Sequence, residues 1–223
     1  MSANSARELQ NIYGARFARN LAYRRKVWNV LVPSFFQKYV APGDTVLDLG
    51  CGYGEFINTI RCGQKLAMDL NPDASKYLDS SVRFLEQDCS SRWQVEDASL
   101  HVVFTSNFFE HLPDKAALGR TLDEIYRCLV PDGKLIAMGP NIKYLPGKYW
   151  DFWDHHLALS DSSLSEGLVT RGFEITECVD RFLPYTKVNQ REYPEGLLRL
   201  YLNVPLAWRI FGKQFLIIAR KST

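Results

Sequence analysis

No Cys-x-x-Cys pair occurs among the five cysteines, Cys51, Cys62, Cys89, Cys128 and Cys178. The spacing therefore argues against structural zinc and for free thiols in a reducing compartment. No apolar run approaches the roughly 18 residues that a membrane-spanning helix needs. The N-terminus lacks the apolar core of a secretory signal, so a cytoplasmic protein is the expectation. Neither sign of charge is in real excess: 27 Lys and Arg face 25 Asp and Glu, a net of +2. That balance gives no overall argument for nucleic acid or acidic lipid. Internal repeats and low-complexity tracts are also lacking. What is present is ordinary for a globular chain: 223 residues, 46% hydrophobic and 23% charged, enough for one domain with a substantial core.

The most informative stretch is Thr45-Val-Leu-Asp-Leu-Gly-Cys-Gly-Tyr-Gly-Glu55. A buried strand (Val46, Leu47, Leu49) runs into a glycine-rich turn (Gly50, Gly52, Gly54), and Phe56, Ile57 and Ile60 follow at helical spacing. Without Cβ atoms such a turn lets a ligand lie almost on the main chain. The fingerprint for a dinucleotide is Gly-x-Gly-x-x-Gly, whereas here the third glycine comes one residue early. Asp48 precedes the turn. A second strand, Lys65-Leu-Ala-Met-Asp69, ends in an acid suited to two ribose hydroxyls. A third, Val82-Arg-Phe-Leu-Glu-Gln-Asp88, ends in an acid that could meet an adenine amino group. Three acids at three successive strand ends would surround a pyrophosphate badly. They suit a ligand with no phosphate and a cationic sulfonium.

Val46-Leu-Asp-Leu-Gly-Cys-Gly-Tyr-Gly54 resembles the first motif of class I S-adenosylmethionine-dependent methyltransferases, and the segment from Pro140 through Tyr185 is loosely similar to small bacterial members that serve glycan or natural-product assembly. Asn107-Phe-Phe-Glu-His-Leu112 resembles that family's segment after the fourth strand. Leu129-Val-Pro-Asp-Gly-Lys-Leu-Ile136 resembles its Leu-x-Pro-Gly-Gly turn and fifth strand, with Asp132 in place of a glycine. The resemblance runs from about Thr45 to Gly139 and more loosely over the whole chain. It implies a Rossmann-like α/β fold: a mostly parallel seven-stranded sheet with helices on both faces and an N-terminal helical cap. It also implies S-adenosyl-L-methionine as cofactor and S-adenosyl-L-homocysteine as product. The expected cofactor residues are Asp48, Gly50, Cys51, Gly52, Gly54, Glu55, Asp69, Leu70 and Asp88. Cys89 and Asn107 join them as wall residues by position alone.

The rest of the chain alternates strand and helix, which predicts a parallel sheet covered on both sides. A single domain over 1–223 is expected, with a helical cap at 1–40, a cofactor core at 41–139 and acceptor-side insertions at 140–159 and 183–212. In the cap, Leu9, Ile12, Tyr13, Arg16 and Phe17 fall at helical steps, and a second helix from about Tyr23 to Tyr39 meets a break at Pro33. Tyr13 and Arg16 share a face, so Arg16 could pair with the methionine carboxylate; packing explains Tyr13 equally well. The run Arg24-Arg25-Lys26 reads as a solvated helix face or a phosphate or membrane patch.

Ligands in such sheets bind beyond the carboxyl ends of the strands, which directs attention to 107–112 and to Pro140-Asn-Ile-Lys-Tyr-Leu-Pro-Gly-Lys-Tyr-Trp-Asp-Phe-Trp-Asp-His-His156. A connection this long and aromatic reads as a lid or wall of an acceptor pocket, with Tyr149, Trp150 and Trp153 toward the substrate, or as a hydrophobic plug. Methyl transfer is an in-line displacement, and a hydroxyl acceptor must also lose a proton. His111, just past the fourth strand, is the first candidate for that base, although in the resembled family Glu110–His111 is often structural. His155 and His156 come second, with Asp151 or Asp154 to orient one of them. Asp151, Asp154, His155 and His156 match no strong ligand spacing, so no metal is expected. His101, at a strand start, reads as structural.

In the resembled family an Asn/Asp-Pro-Pro-Tyr/Phe motif after the fourth strand accompanies methylation of planar amide or ring-amine nitrogens. Asn107-Phe-Phe-Glu stands there instead, so the resemblance lowers nucleic-acid bases and amides as acceptors, and no nucleic-acid partner is expected. The leading expectation is methyl transfer to a hydroxyl of a sugar, glycan precursor or other small molecule. The alternatives are a membrane-surface enzyme for a lipid or quinone-type acceptor, and a non-catalytic protein that binds the cofactor. Leu197, Leu200, Tyr201 and Val204 form an amphipathic stripe readable as cover, as a membrane face or as a homodimer face through 195–211.

Overall fold

The computed structural model describes residues 21–185 and 192–222. Tyr13 and Arg16, with the first predicted helix, lie outside the described residues. Seven strands are described: β1 (Thr45–Leu49), β2 (Gln64–Asp69), β3 (Val82–Glu86), β4 (Leu100–Ser106), β5 (Leu129–Pro140), β6 (Phe173–Val179) and β7 (Gln214–Lys221). They form one sheet in the order β3-β2-β1-β4-β5-β7-β6. β1 to β5 are parallel, and β7 runs antiparallel to both β5 and β6. The order reverses between β1 and β4, and this places the ligand-binding crevice at their carboxyl ends.

Alternate side chains of each strand feed two cores. Leu47, Leu49, Val103, Leu135, Ala137 and Ile217 face one layer; Val46, Val102, Phe104, Ile136, Met138 and Ile218 face the other. A sheet buried on both faces explains why its strands read as nearly continuous apolar runs. The first layer includes α3 (Lys115–Cys128), which puts Leu118, Leu122, Ile125 and Cys128 inward. Its N-cap, Asp114, accepts the Ala117 N–H at 2.7 Å. α4 (Asp161–Val169) joins the same layer behind a Ser160–Ser163 capping box. The second layer holds α1 (Leu21–Ser34) and α2 (Glu55–Thr59), where Phe56 stacks on Phe104 at 3.6 Å and 11°. α5 (Glu195–Leu202) and α6 (Pro205–Phe211) add Leu202, Tyr201 and Trp208 to this side.

Several boundaries differ from the sequence expectation. α1 stops at Ser34, one residue past Pro33, and a 3-10 turn over Phe36–Tyr39 replaces its continuation. Between β2 and β3 the alternating pattern gives no α-helix but a 3-10 turn, Pro72–Tyr77, capped by Asn71. β3 ends at Glu86, so Asp88 stands in the following turn. β5 begins at Leu129, because Asp132 sits at φ 63° and turns the chain without ending the strand. Asp is one of the few side chains that tolerate this left-handed position, which is why it can stand where the resembled motif has glycine. Its carboxylate pairs with Arg220 at 3.0 Å.

Candidate functional site

Gly50, Gly52 and Gly54 all lie at positive φ, 70°, 52° and 69°. The turn they make is tied to β2 by the Gly50 and Cys51 N–H groups, which donate to Met68 O at 2.9 and 3.2 Å. Space is tight behind it: a Cβ on Gly50 would fall 2.3 Å from the Phe108 ring. Asp69, at the end of β2, faces the turn. Its Oδ2 accepts the Gly52 N–H and its Oδ1 the Asn71 N–H, each at 2.9 Å. Every carboxylate oxygen has a second lone pair, so Asp69 can still accept hydroxyl donors from a ligand. Leu70 follows it, half-buried. Asp88 Oδ1 accepts the Ser90 N–H and hydroxyl at 2.9 and 2.8 Å, which fixes its turn beside β3.

Negative charge gathers around the turn. Asp48 is buried; burial and then the Glu55 charge push its carboxyl well above the usual range, with Asp69 adding in the same direction. Burial also raises Asp69, against hydrogen bonds from Asn71, Gly52 and Leu70 and the attraction of His111. Glu55 is buried and meets Arg24 Nε at 2.9 Å. Arg24 comes from the basic run of α1, so at least this residue of the run reaches the site, a placement the linear pattern did not single out. A crevice in which Glu55 and Asp69 both act on the buried Asp48 carboxyl fits a cationic ligand better than a pyrophosphate. This is the fit expected of a sulfonium nucleoside. Cys51 and Cys89 are buried walls: burial pushes the Cys51 thiol well up, and Cys89 to about 12. Asn107 lies at φ 50°, exposed, with its N–H on Met138 O at 2.8 Å.

The turn after β4 carries the candidate chemistry. Glu110 and His111 lie in a 3-10 turn, Phe109–His111. The long connection after β5 folds back on it: the His156 and Leu157 N–H groups both donate to Glu110 O, at 2.8 and 3.0 Å. His155 is thereby brought beside His111, ring centroids 5.0 Å apart. Asp154 orients His111, where the sequence reading gave it to His155 or His156. The His111 Nδ1–Asp154 O distance is 2.9 Å, and the Asp154 carboxylate stands 3.3 Å from the same nitrogen. A carbonyl can only accept, so Nδ1 is the donor in this contact. Glu110 is buried, and desolvation moves its acid to about 7. His156 is exposed and apart from this pairing. His101 lies at the other end of β4, accepting the Thr45 N–H at 3.1 Å.

The aromatic connection divides by role. Tyr149 is fully buried, and its hydroxyl donates to Leu157 O and accepts the Leu159 N–H at 3.3 Å. It therefore pins the loop to itself and offers no exposed wall to a substrate. Trp150 and Trp153 are 52% and 81% exposed. Leu145, Tyr149, Leu157 and Leu159 are buried, and Trp150 and Trp153 stand exposed.

Residues 47–137 match the family model described as "Methyltransferase domain". No curated protein matches the sequence. Among solved structures, an S-adenosylmethionine-dependent methyltransferase from Archaeoglobus fulgidus is similar at 23% identity, with 92% of this chain and 99% of that chain covered and a TM-score of 0.68. The methyltransferase in a complex with the Trm112 activator from Haloferax volcanii gives 21% identity, coverage of 92% and 94%, and a TM-score of 0.68. A methyltransferase from Mesorhizobium loti gives 16%, coverage of 86% and 97%, and 0.61. At these identities the solved structures speak for the shared fold.

Proposed function

We propose that this chain, a class I S-adenosylmethionine-dependent methyltransferase, methylates a hydroxyl of a small molecule, a sugar or glycan precursor or a related natural product. The cofactor supplies an electrophilic methyl on a cationic sulfur. The chain's own residues hold it and prepare the acceptor. In this reading Asp69 accepts the ribose hydroxyls, Asp88 meets the adenine side, and Gly50, Gly52 and Gly54 let the ligand approach the backbone. Asp48 and Glu55 supply the negative field.

The observation that carries the hydroxyl reading is the state of His111. Its Nδ1 proton is fixed on Asp154 O, so Nε2 is available to take a proton from an acceptor. Once it has taken that proton, its charge stands close enough to Asp69 to favour the carboxylate. Trp150 and Trp153 supply exposed aromatic surface of the kind that stacks on sugar or other ring faces. Incubation with labelled cofactor and fractionated cell metabolites, read by mass spectrometry, tests it. An O-methylated product supports the reading; a product methylated on nitrogen or carbon sinks it.

A second reading has one specific support. Leu197, Leu200, Leu206, Ile210 and Phe211 are 49–65% exposed on α5 and α6, although Tyr201 and Trp208 pack inward. No helix among the described residues is long and apolar enough to cross a membrane, but this face suits a membrane surface and a lipid acceptor, or a homodimer through 195–211. Flotation with anionic liposomes and light scattering without them separate the two. A protein that stays at the bottom of the gradient and scatters as a monomer excludes both.

A further inference from the structure

Glu110, His111 and His155 meet in the fold although no linear motif joins them. One donor atom from each lies within 4.8 Å of the other two. We propose that these three side chains bind one divalent transition-metal ion, as two imidazoles and one carboxylate with the remaining coordination positions open. Such a set suits Zn²⁺, Fe²⁺ or Co²⁺ and is poorly matched to Mg²⁺, which prefers oxygen ligands.

Four features of the site support an ion. First, His111 has the outer partners that a coordinating histidine normally has: Nδ1 is held by the Asp154 carbonyl at 2.9 Å, with the carboxylate 3.3 Å away. Second, Glu110 is a carboxylate fully enclosed by the protein, and a buried carboxylate is stabilised by a metal. Third, the donors are on fixed supports. The 3-10 turn holds Glu110 and His111, while Tyr149 and Phe152 each pack 5.0 Å from the His155 ring. Fourth, the scale is right. Donors about 2.1 Å from a tetrahedral ion stand roughly 3.4 Å apart, so side-chain rotations of up to ~1.4 Å would close the site. The sequence expectation of no metal rested on Asp151, Asp154, His155 and His156. The fold replaces three of those four with the turn after β4.

The site stands whether or not the acceptor is a hydroxyl. Its use, lowering the pKa of an acceptor hydroxyl bound in an open position, rests on the hydroxyl-acceptor reading above and takes the place of His111 as base, because a coordinated Nε2 has no lone pair left for a proton.

The test is a titration of the chelator-treated full chain with Co²⁺ alone, read by visible absorption and calorimetry. The expected result is one ion per chain with nitrogen-ligand bands. Asp154→Asn removes the carboxylate charge 3.3 Å from His111 Nδ1 but leaves the backbone carbonyl that holds the ring, so it should weaken binding ~10-fold, and Glu110→Gln and His155→Ala should each cost more than that. His156→Ala, exposed and outside the cluster, should stay within about twofold of the parent. Binding of S-adenosylhomocysteine by each variant shows that the chain is folded. Should His155→Ala fail to fold, Glu110→Gln and a Co²⁺-dependent rise in the parent's Tm still decide. No saturable Co²⁺ binding to the parent, or binding that survives both Glu110→Gln and His155→Ala, overturns the proposal and leaves a hydrogen-bonded lock that needs no ion. An O-methylated product without metal binding would remove the ion and keep the acceptor reading. Metal binding with a product methylated elsewhere would do the reverse.

Discussion

Replacing Asp69 with asparagine is the most direct probe of the cofactor cradle. The amide keeps the size of the side chain and one acceptor oxygen. It loses the charge, and its NH₂ must face one of two backbone donors, Gly52 N–H or Asn71 N–H, both now at 2.9 Å from a carboxylate oxygen. Hydrogen bonds to a charged group contribute ~1.5–3 kcal/mol each, and a buried donor left facing a donor costs ~1–3 kcal/mol. Part of that cost falls on the glycine turn in the absence of ligand. The part read in binding is the loss of two ribose acceptors of full charge, ~1–3 kcal/mol, or about 5–140-fold in Kd. Calorimetry with S-adenosylmethionine and with S-adenosylhomocysteine measures it. Both ligands carry the ribose, so both should weaken together. An unchanged Kd in a folded variant refutes the ribose assignment. A loss confined to S-adenosylmethionine would mean that Asp69 acts through its field on the sulfonium instead.

Asp48 offers the complementary experiment. Its acid is raised by burial and by its acidic neighbours, so lowering the pH through that raised value protonates it and removes an attraction for a cation. Affinity for S-adenosylmethionine should fall with pH more steeply than affinity for the uncharged-sulfur product, and parallel pH profiles by calorimetry would count against the field argument. His111→Ala should slow single-turnover methyl transfer by ~10²–10⁴-fold while cofactor Kd barely moves; equal rates would remove His111 from catalysis. Gly50→Ala puts a Cβ 2.3 Å from Phe108 at φ 70°, and left-handed alanine alone costs ~1–2 kcal/mol, so thermal unfolding should show a loss of at least that size. Tyr149→Phe strips the hydroxyl that joins Leu157 O and Leu159 N–H and should cost ~1–3 kcal/mol in denaturant unfolding, with an unchanged midpoint showing that the loop is held elsewhere.

The cradle was legible in the sequence because it is made of local constraints. A short apolar strand, glycines where φ must be positive, and acids at the ends of β1 and β2 each declare themselves within a few residues. Asp132 belongs to the same class, since only a few side chains accept φ 63°. The end of α2 was less legible: Phe56, Ile57 and Ile60 keep helical spacing, yet the helix stops at Thr59 and Ile60 is already extended.

What surrounds the acceptor side was decided by tertiary structure. The sequence marked His111 and His155 as candidates but could not join them, because 140–160 has no period from which to read a direction. Their meeting depends on two backbone hydrogen bonds to Glu110 O and on the burial of Tyr149, contacts made between distant segments only once the sheet has closed. The pairing of Arg24 with Glu55 is of the same kind. Chain-local geometry thus wrote the glycine cradle into the sequence, whereas the grouping of Glu110, His111 and His155 exists only where two irregular segments satisfy each other's backbone.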